Sequence, residues 1–510
     1  MSDRIYACRV RVYSHCFSVH RPTYPVRRAI TELCNGLVHW VGTYKAGRYV
    51  KQPGERYYAY IQDRDEWRFS IHMLEDFKAR LCAINISDHD IHYEVIPPFE
   101  HRHVDHIFTS TKSPRENQLD TINYIMDDTN PQKLVEAATG TGKTYMTMYG
   151  SYRRSTPIVY IILPRFINKT IKDLKGEFDI GNGDIVAVKG SDQLAYLTQL
   201  GKADKLDAKF IIISLSTYIA WIRSYINNPE GIKAKGFACS PIKFFETIKS
   251  NMCVIDECHM QFGAVFMTTL FMHVKWTIFM SATLSKPEDA FITKMYQYFY
   301  PARYRIKKLV PPPYLKAHKV RYRIGKPEYI RCKERGSEFY SHNAFEESIR
   351  ANKKLFNSYM EVIAWIMELK WTKLDRPKVL LIYFTSIEFI DAAKAWLEKR
   401  YPDYVIKRKV AEDPIENAHS ADIVLSTIGS LGTGHDIFAL KAVICAISVS
   451  ASQTNQQVYG RLREQDDGNH DFYYLYSEQI AKQKEYADQK EELLKPVTVE
   501  NDVFFFPYEI

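Results

Sequence analysis

The chain has 510 residues, 46% hydrophobic and 25% charged, which excludes a disordered chain and leaves room for about three domains. A net charge of +9 suits a polyanionic partner without requiring one. Nine scattered cysteines with no CxxC pair exclude a zinc module or a disulfide framework and fit a reducing compartment. No basic start followed by an apolar stretch opens the chain. The longest apolar runs, such as "IVYIIL" (158–163), are strand-sized, so a cytoplasmic protein with no membrane association is expected.

Residues 1–100 alternate short strands and helices. "IYACRVRVYS" (5–14), "RYYAYIQD" (56–63) and "IHYEVI" (91–96) read as strands, "YPVRRAITELCNGL" (24–37) and "SIHMLEDFKARLC" (70–82) as helices. This small α+β module carries Arg27, Arg28, Lys45, Arg48 and Lys51. They form either a nucleic-acid surface or a solvated face over a small core. "IPPFEHRHVDHIF" (96–108) reads as a connector, in which three histidines at loose spacing are weak metal evidence.

From residue 115 the texture changes. "KLVEA" (133–137), "IVYIIL" (158–163), "FIIISL" (210–215), "MCVI" (252–255) and "TIFM" (277–280) are near-continuous apolar strands separated by helical stretches. That pattern marks a buried parallel sheet. It restarts at "VLLIYF" (379–384), "YVIKRKV" (404–410), "DIVLST" (422–427), "AVICAI" (442–447) and "FYYLY" (472–476), so two α/β domains follow in series. The expected organisation is a nucleic-acid-binding module over 1–100, a linker over 101–113 and a first domain over 114–303. A basic, proline-containing linker follows over 304–325, then a second domain over 326–480 and a tail over 481–510, whose aromatics dock on the body.

Three motifs in the first domain carry chemistry. "AATGTGKT" (137–144) follows the first strand and opens a helix, where backbone N–H groups close around phosphate oxygens. Gly140, Thr141 and Gly142 supply the loop, Lys143 reaches the β/γ-phosphates and Thr144 ligates Mg²⁺. Ala137 stands where the strict pattern has glycine. "VIDECH" (254–259) ends a strand in two carboxylates: Asp256 to hold Mg²⁺ and Glu257 to position and deprotonate the attacking water. "SATLS" (281–285) offers Ser281 and Thr283 to hydrogen-bond the carboxylate pair and couple nucleotide state to the domain interface.

In this order, with "QQVYGRLRE" (456–464), the set resembles a superfamily 2 helicase over residues 114–480. The resemblance implies two tandem RecA-like parallel-sheet domains that clamp one ATP. It implies that Gln118 of "SPRENQLDTINYI" reads the base and that Gly434 and Asp436 of "STIGSLGTGHDI" lie near nucleotide and strand. Nucleic-acid contacts are then expected from Arg165, Thr217, Ser386 and Thr427, and Gln457, Arg461 and Arg463 reach across the cleft. Within the superfamily the sequence is similar to phage UvsW-type recombination helicases, through the small N-terminal module, the "DECH" box and "GSLGTGHDI". In layout it is also similar to poxviral transcript-release helicases. The first likeness implies an ATP- and Mg²⁺-dependent motor that remodels branched DNA: forks, junctions and R-loops. Duplex or single-stranded DNA are the expected partners, RNA is the alternative, and nothing demands an oligomer. A restriction-system motor would need a nuclease motif, and no such constellation is visible.

The outer arginine of the last motif departs from the family. Arg463 sits two places after Arg461 where these motors have three, and the third place is Glu464. Either a local bulge lets Arg463 reach the phosphate, or Arg461 alone serves, or the chain is an ATP-binding scaffold without turnover.

Overall fold

The computed structural model describes residues 6–510 except 46–47, 138–140, 182, 282–288, 302–312, 335, 337, 411–412, 432–436, 451–454, 456–457, 463–467 and 469. Two compact units divide near residue 310.

The first unit opens with β1 (Cys8–Val12), β2 (Cys16–His20), α1 (Tyr24–Asn35), β3 (Val38–Lys45), β4 (Arg48–Arg56), β5 (Ala59–Ile61), β6 (Glu66–Ser70), α2 (Leu74–Cys82) and β7 (Ile91–Val95). Five of these strands form one sheet in the order β5-β6-β2-β1-β7, and among the described residues β3 and β4 pair with each other as a separate ribbon. Short strands with mixed polarity, such as "EWRFS" at β6, escaped the sequence reading because both faces of β6 are buried in the fold.

This module is not tethered by a free linker. Residues 101–113 lie along the following domain, with Arg102 N–H donating to the Lys249 carbonyl (2.9 Å) and Val104 N–H to the Ser155 carbonyl (3.0 Å). His106 Nε2 bonds the Thr156 carbonyl at 2.8 Å and His103 faces Asp105, so these histidines are separately engaged. Among the described residues no cluster of three or more candidate metal ligands occurs. The seam is completed by Gln132 Nε2 donating to the Ser14 carbonyl (2.8 Å) and Arg68 Nε to the Leu270 carbonyl (2.7 Å). Arg68 is 1% exposed and paired with Glu66 at 2.5 Å. A buried guanidinium with a carboxylate and a carbonyl to meet it holds its charge and fixes the seam geometrically.

The rest of the unit is an all-parallel sheet in the order β10-β11-β9-β12-β13-β8. Its strands are β8 (Gln132–Glu136), β9 (Ile158–Ile162), β10 (Ile185–Val188), β11 (Phe210–Ser214), β12 (Met252–Ile255) and β13 (Trp276–Ser281). Every residue of β9, β11, β12 and β13 is buried, as helices on both faces require.

The second unit holds a seven-stranded, all-parallel sheet in the order β16-β17-β15-β18-β19-β14-β20. Its strands are β14 (Leu315–Arg323), β15 (Val379–Tyr383), β16 (Ile406–Lys409), β17 (Ile423–Ser426), β18 (Leu440–Cys445), β19 (Asp471–Ser477) and β20 (Thr498–Glu509). Two expected boundaries are therefore corrected. Residues 315–323, expected inside a basic linker, are a strand between β19 and β20, and the tail expected from 481 supplies the edge strand. The cations that suggested a linker are neutralised from afar: Lys319 meets Asp488 (2.6 Å) and Glu491 (2.8 Å), and Arg321 meets Glu478 (2.6 Å).

Candidate functional site

In a parallel sheet, loops at the carboxyl ends of the strands gather on one edge, where ligands bind. The expected phosphate loop follows β8. Gly142 has φ +84°, and a Cβ there would stand 2.6 Å from Gln118 Nε2. The positive φ favours glycine, and a side chain would also displace Gln118 Nε2. Lys143 then opens the helix Lys143–Ser151, with Thr144 next, and its Nζ donates to the Ala137 carbonyl at 3.0 Å. Thr141 is buried just before this turn, and Gly140 lies outside the described residues.

Gln118 is 5% exposed, on the helix Glu116–Met126. Its carboxamide oxygen accepts from Arg115 N–H at 2.9 Å and its nitrogen faces Gly142, so it braces the loop from below.

Asp256 and Glu257 stand immediately after β12. Asp256 Oδ1 accepts from Glu257 N–H at 2.8 Å. Burial and the neighbouring Glu257 carboxylate push the Asp256 carboxyl above the usual range, and the Lys143 charge opposes them. Glu257 itself has φ +48°, a left-handed backbone that a non-glycine residue adopts at a cost of about 1–2 kcal/mol. Cys258 N–H donates to the Met280 carbonyl at 2.9 Å, tying this turn to β13.

Ser281, at the end of β13, lies 2.8 Å from His259 Nδ1, and that nitrogen is 3.4 Å from Glu257 Oε2. The sequence reading offered Ser281 as a hydrogen-bonding partner of the carboxylates; His259 Nδ1 lies within reach of both Ser281 and Glu257. Burial and the Lys143 charge lower the His259 pKa to about 4, so the imidazole is neutral near pH 7. His259 was legible only as a letter of "DECH". Thr283 lies outside the described residues.

The expected nucleic-acid contacts lie on the same strand ends. Arg165, after β9, is exposed, with its guanidinium over the Phe166 ring and Nη2 3.3 Å from Met260 Sδ. Thr217 donates to the Lys189 carbonyl at 2.9 Å and lines a groove of about 340 Å³ with Ser191, Ser216, Ser224 and Lys235. Ser216, Thr217 and Ser224 lie on the helix Leu215–Asn227, while Ser191 and Lys235 come from separate segments that sequence reading did not join to it.

In the second unit, Ser386 caps the helix Ile387–Arg400: its hydroxyl accepts from Phe389 N–H and donates to Glu346 Oε2, both at 3.2 Å. Thr427 bonds Ser430 at 2.8 Å. Arg461 is 7% exposed and hydrogen-bonded to the Tyr383 hydroxyl. Gly434, Asp436, Gln457 and Arg463 lie outside the described residues.

No protein-family profile and no curated protein matches this chain. Solved structures do. A single-residue variant of Saccharomyces cerevisiae Dbp5 bound to RNA and ADP BeF3 is 10% identical, over 77% of this chain and 90% of that one, with a TM-score of 0.50. T4 UvsW is 11% identical over 98% of this chain and 99% of its own, with a TM-score of 0.34. Mycobacterium smegmatis helicase Lhr bound to ssDNA and AMP-PNP is 14% identical over 71% and 46%, with a TM-score of 0.45. At these identities the shared feature is the fold alone: RecA-like parallel-sheet domains in tandem. Among the described residues, no helix is long and apolar enough to cross a membrane.

Proposed function

We propose that this chain is an ATP-dependent DNA motor of the superfamily 2 helicase kind, working as a monomer on branched DNA such as forks, junctions and R-loops. The observation that carries the reading is one convergence on a sheet edge. Lys143 opens a helix behind a left-handed glycine, and its charge bears on Asp256 and His259. A nucleotide triphosphate is the ligand that such a loop and lysine suit. Thr144 and Asp256 would hold Mg²⁺, which when bound neutralises phosphate charge. The raised Asp256 carboxyl fits that role: burial first, and then the Glu257 charge, raise it, and a bound cation opposes both.

In this reading Lys143 orients the β/γ-phosphates, and Glu257 holds and deprotonates the attacking water. His259 fixes Glu257 from behind and Ser281 fixes His259. Gln118 sits on the base side; Gly140, Thr141 and Gly142 line the phosphates. Gly434, Asp436, Gln457, Arg461 and Arg463 are the second domain's contribution. Arg165, Thr217, Ser386 and Thr427 belong to the strand-end loops that track the backbone, largely through sequence-independent phosphate contacts. The bound nucleic acids in the Dbp5 and Lhr structures are RNA and ssDNA, so RNA is a control substrate. Lys143→Ala is expected to abolish nucleic-acid-stimulated ATP hydrolysis while leaving DNA binding largely intact. Wild-type turnover in that variant would remove the site assignment.

A further inference from the structure

β20 (Thr498–Glu509) is the outermost strand on one side of the second sheet, and its outer side pairs with no strand among the described residues. Such a strand presents a row of unpaired N–H and C=O groups, so proteins keep lateral strands short, studded with cations or covered. The other lateral strands of the two parallel sheets follow that practice. β16 is the four residues Ile406–Lys409, of which three are cations; β10 has four residues and β8 five. β20 departs from it: twelve residues, no lysine or arginine, and eight of them exposed.

The strand is an ordered template held from its inner side. From Glu500 to Phe505 it pairs with β14 in unbroken parallel register, Lys316 opposite Glu500 and Arg321 opposite Phe505. Gly325 N–H donates to the Ile510 carbonyl at 3.0 Å beyond the end of the strand. Its two faces differ. Phe504 and Phe506 turn toward the helix Lys353–Leu369, where their rings pack on Trp365 at 6.4 and 5.6 Å between centres. Val503 and Phe505 point the other way and are 48% and 53% exposed, with the Arg321 guanidinium 4.2 Å from the Phe505 ring centre.

These side chains name the partner class. A strand added outside β20 sets its own side chains directly beside Glu500 and Asp502 on one face and beside Val503 and Phe505 on the other. The two carboxylates are about half open to solvent, although Lys316 stands 3.6 Å from Glu500 and His318 3.3 Å from Asp502 on the inner side. Opposite charges across a strand pair are favourable and like charges are not, so cations suit that face and apolar groups the other. Nucleic acid would bring phosphates to carboxylates. The β20 of a second copy would bring carboxylates and no cation.

Going beyond the motor reading, we propose that β20 is a docking strand for a partner protein. It takes an extended segment that alternates basic and apolar residues, which becomes the eighth strand of the seven-stranded sheet. Main-chain hydrogen bonds along β20 hold the segment, and the two faces of β20 select its alternation. Strands β18, β19 and β14 separate β20 from β15, the strand that leads to Ser386, a span of about 19 Å, so docking leaves that loop uncovered.

The test uses the full chain and a fluorescein-labelled synthetic peptide of about nine residues that alternates lysine and valine. The peptide is expected to bind, read by fluorescence anisotropy, and to slow amide hydrogen exchange in β20 about tenfold. The same peptide with every backbone amide N-methylated keeps its charge and apolar groups and should bind about tenfold more weakly. A peptide alternating glutamate and valine should not bind. Val503→Lys combined with Phe505→Lys leaves Phe504 and Phe506 in place, and should weaken binding of the lysine–valine peptide about tenfold with little change in melting temperature. Equal affinity for the methylated and unmodified peptides, or unchanged exchange in β20, would overturn the proposal. So would protection of β20 through self-association of the chain alone.

Discussion

Ser281 Oγ and His259 Nδ1 lie 2.8 Å apart, joining the end of β13 to the turn after β12. Both groups are buried, so neither trades this partner for water at no cost. The pair spans two neighbouring strands, one of which runs into Asp256 and Glu257, and so can pass a change at one strand end to the next.

The first prediction follows from that pair. Ser281→Ala and His259→Ala should each cut nucleic-acid-stimulated kcat by about tenfold while leaving ATP affinity within about twofold. Steady-state ATPase titrations check this. If both variants lost ATP affinity and kept kcat, the pair would belong to binding.

Gly142→Ala should abolish ATP binding, because φ +84° and the closeness of Gln118 both oppose a side chain. Adding Gln118→Ala removes the clash but not the strained backbone, which alone costs about 1–2 kcal/mol. The double variant should therefore recover binding only in part. Calorimetric titration with a non-hydrolysable ATP analogue distinguishes full, partial and absent recovery.

Glu346 is 0% exposed and accepts hydrogen bonds from Thr385 N–H (2.7 Å) and Ser386 N–H (2.9 Å). Burial outweighs these donors and raises its pKa from 4.5 to about 7. The sign is the reverse of a salt-bridged acid, since the unfolded chain releases this proton first. Stability should fall as pH rises from about 4.5 through 7, by about 3 kcal/mol at most, and then level off. Glu346→Gln should lack this fall. Melting temperatures of the two proteins at pH 5 and 8 check it; a wild type that gains on the variant toward pH 8 would contradict the assignment.

Arg461 and Arg463 should separate by phenotype. Arg461 is buried against Tyr383, so Arg461→Ala should lower the melting temperature of the chain as well as turnover. Arg463→Ala should lower turnover with little change in melting temperature, if the outer arginine reaches the phosphate despite the shortened spacing. Thermal melts alongside ATPase rates decide between them; equal melting losses would mean that both are structural.

Much of the fold was legible for one physical reason. Strands buried on both faces of a parallel sheet need no alternation, so β9, β11 and β13 stand out as uninterrupted apolar runs. β14 did not stand out. Its Lys319 and Arg321 find carboxylates more than 150 residues later, and no local pattern announces such partners. The β3–β4 ribbon was missed because Gly42, Pro53 and Gly54 read as loop residues, and the pairing that makes it a ribbon is non-local. Lys143, Asp256 and Glu257 stand out in sequence because their spacing to strand ends is local. The role of His259 does not, because it depends on two strands lying side by side.

The central claim is that this sheet edge turns over ATP in response to nucleic acid. Steady-state ATPase of the full chain, alone and with forked DNA, single-stranded DNA and RNA, tests it most directly. The account predicts low turnover alone, strong stimulation by forked DNA and no turnover in Lys143→Ala under any condition. ATP binding with no turnover on any nucleic acid would contradict it and leave a nucleotide-binding scaffold in place of a motor.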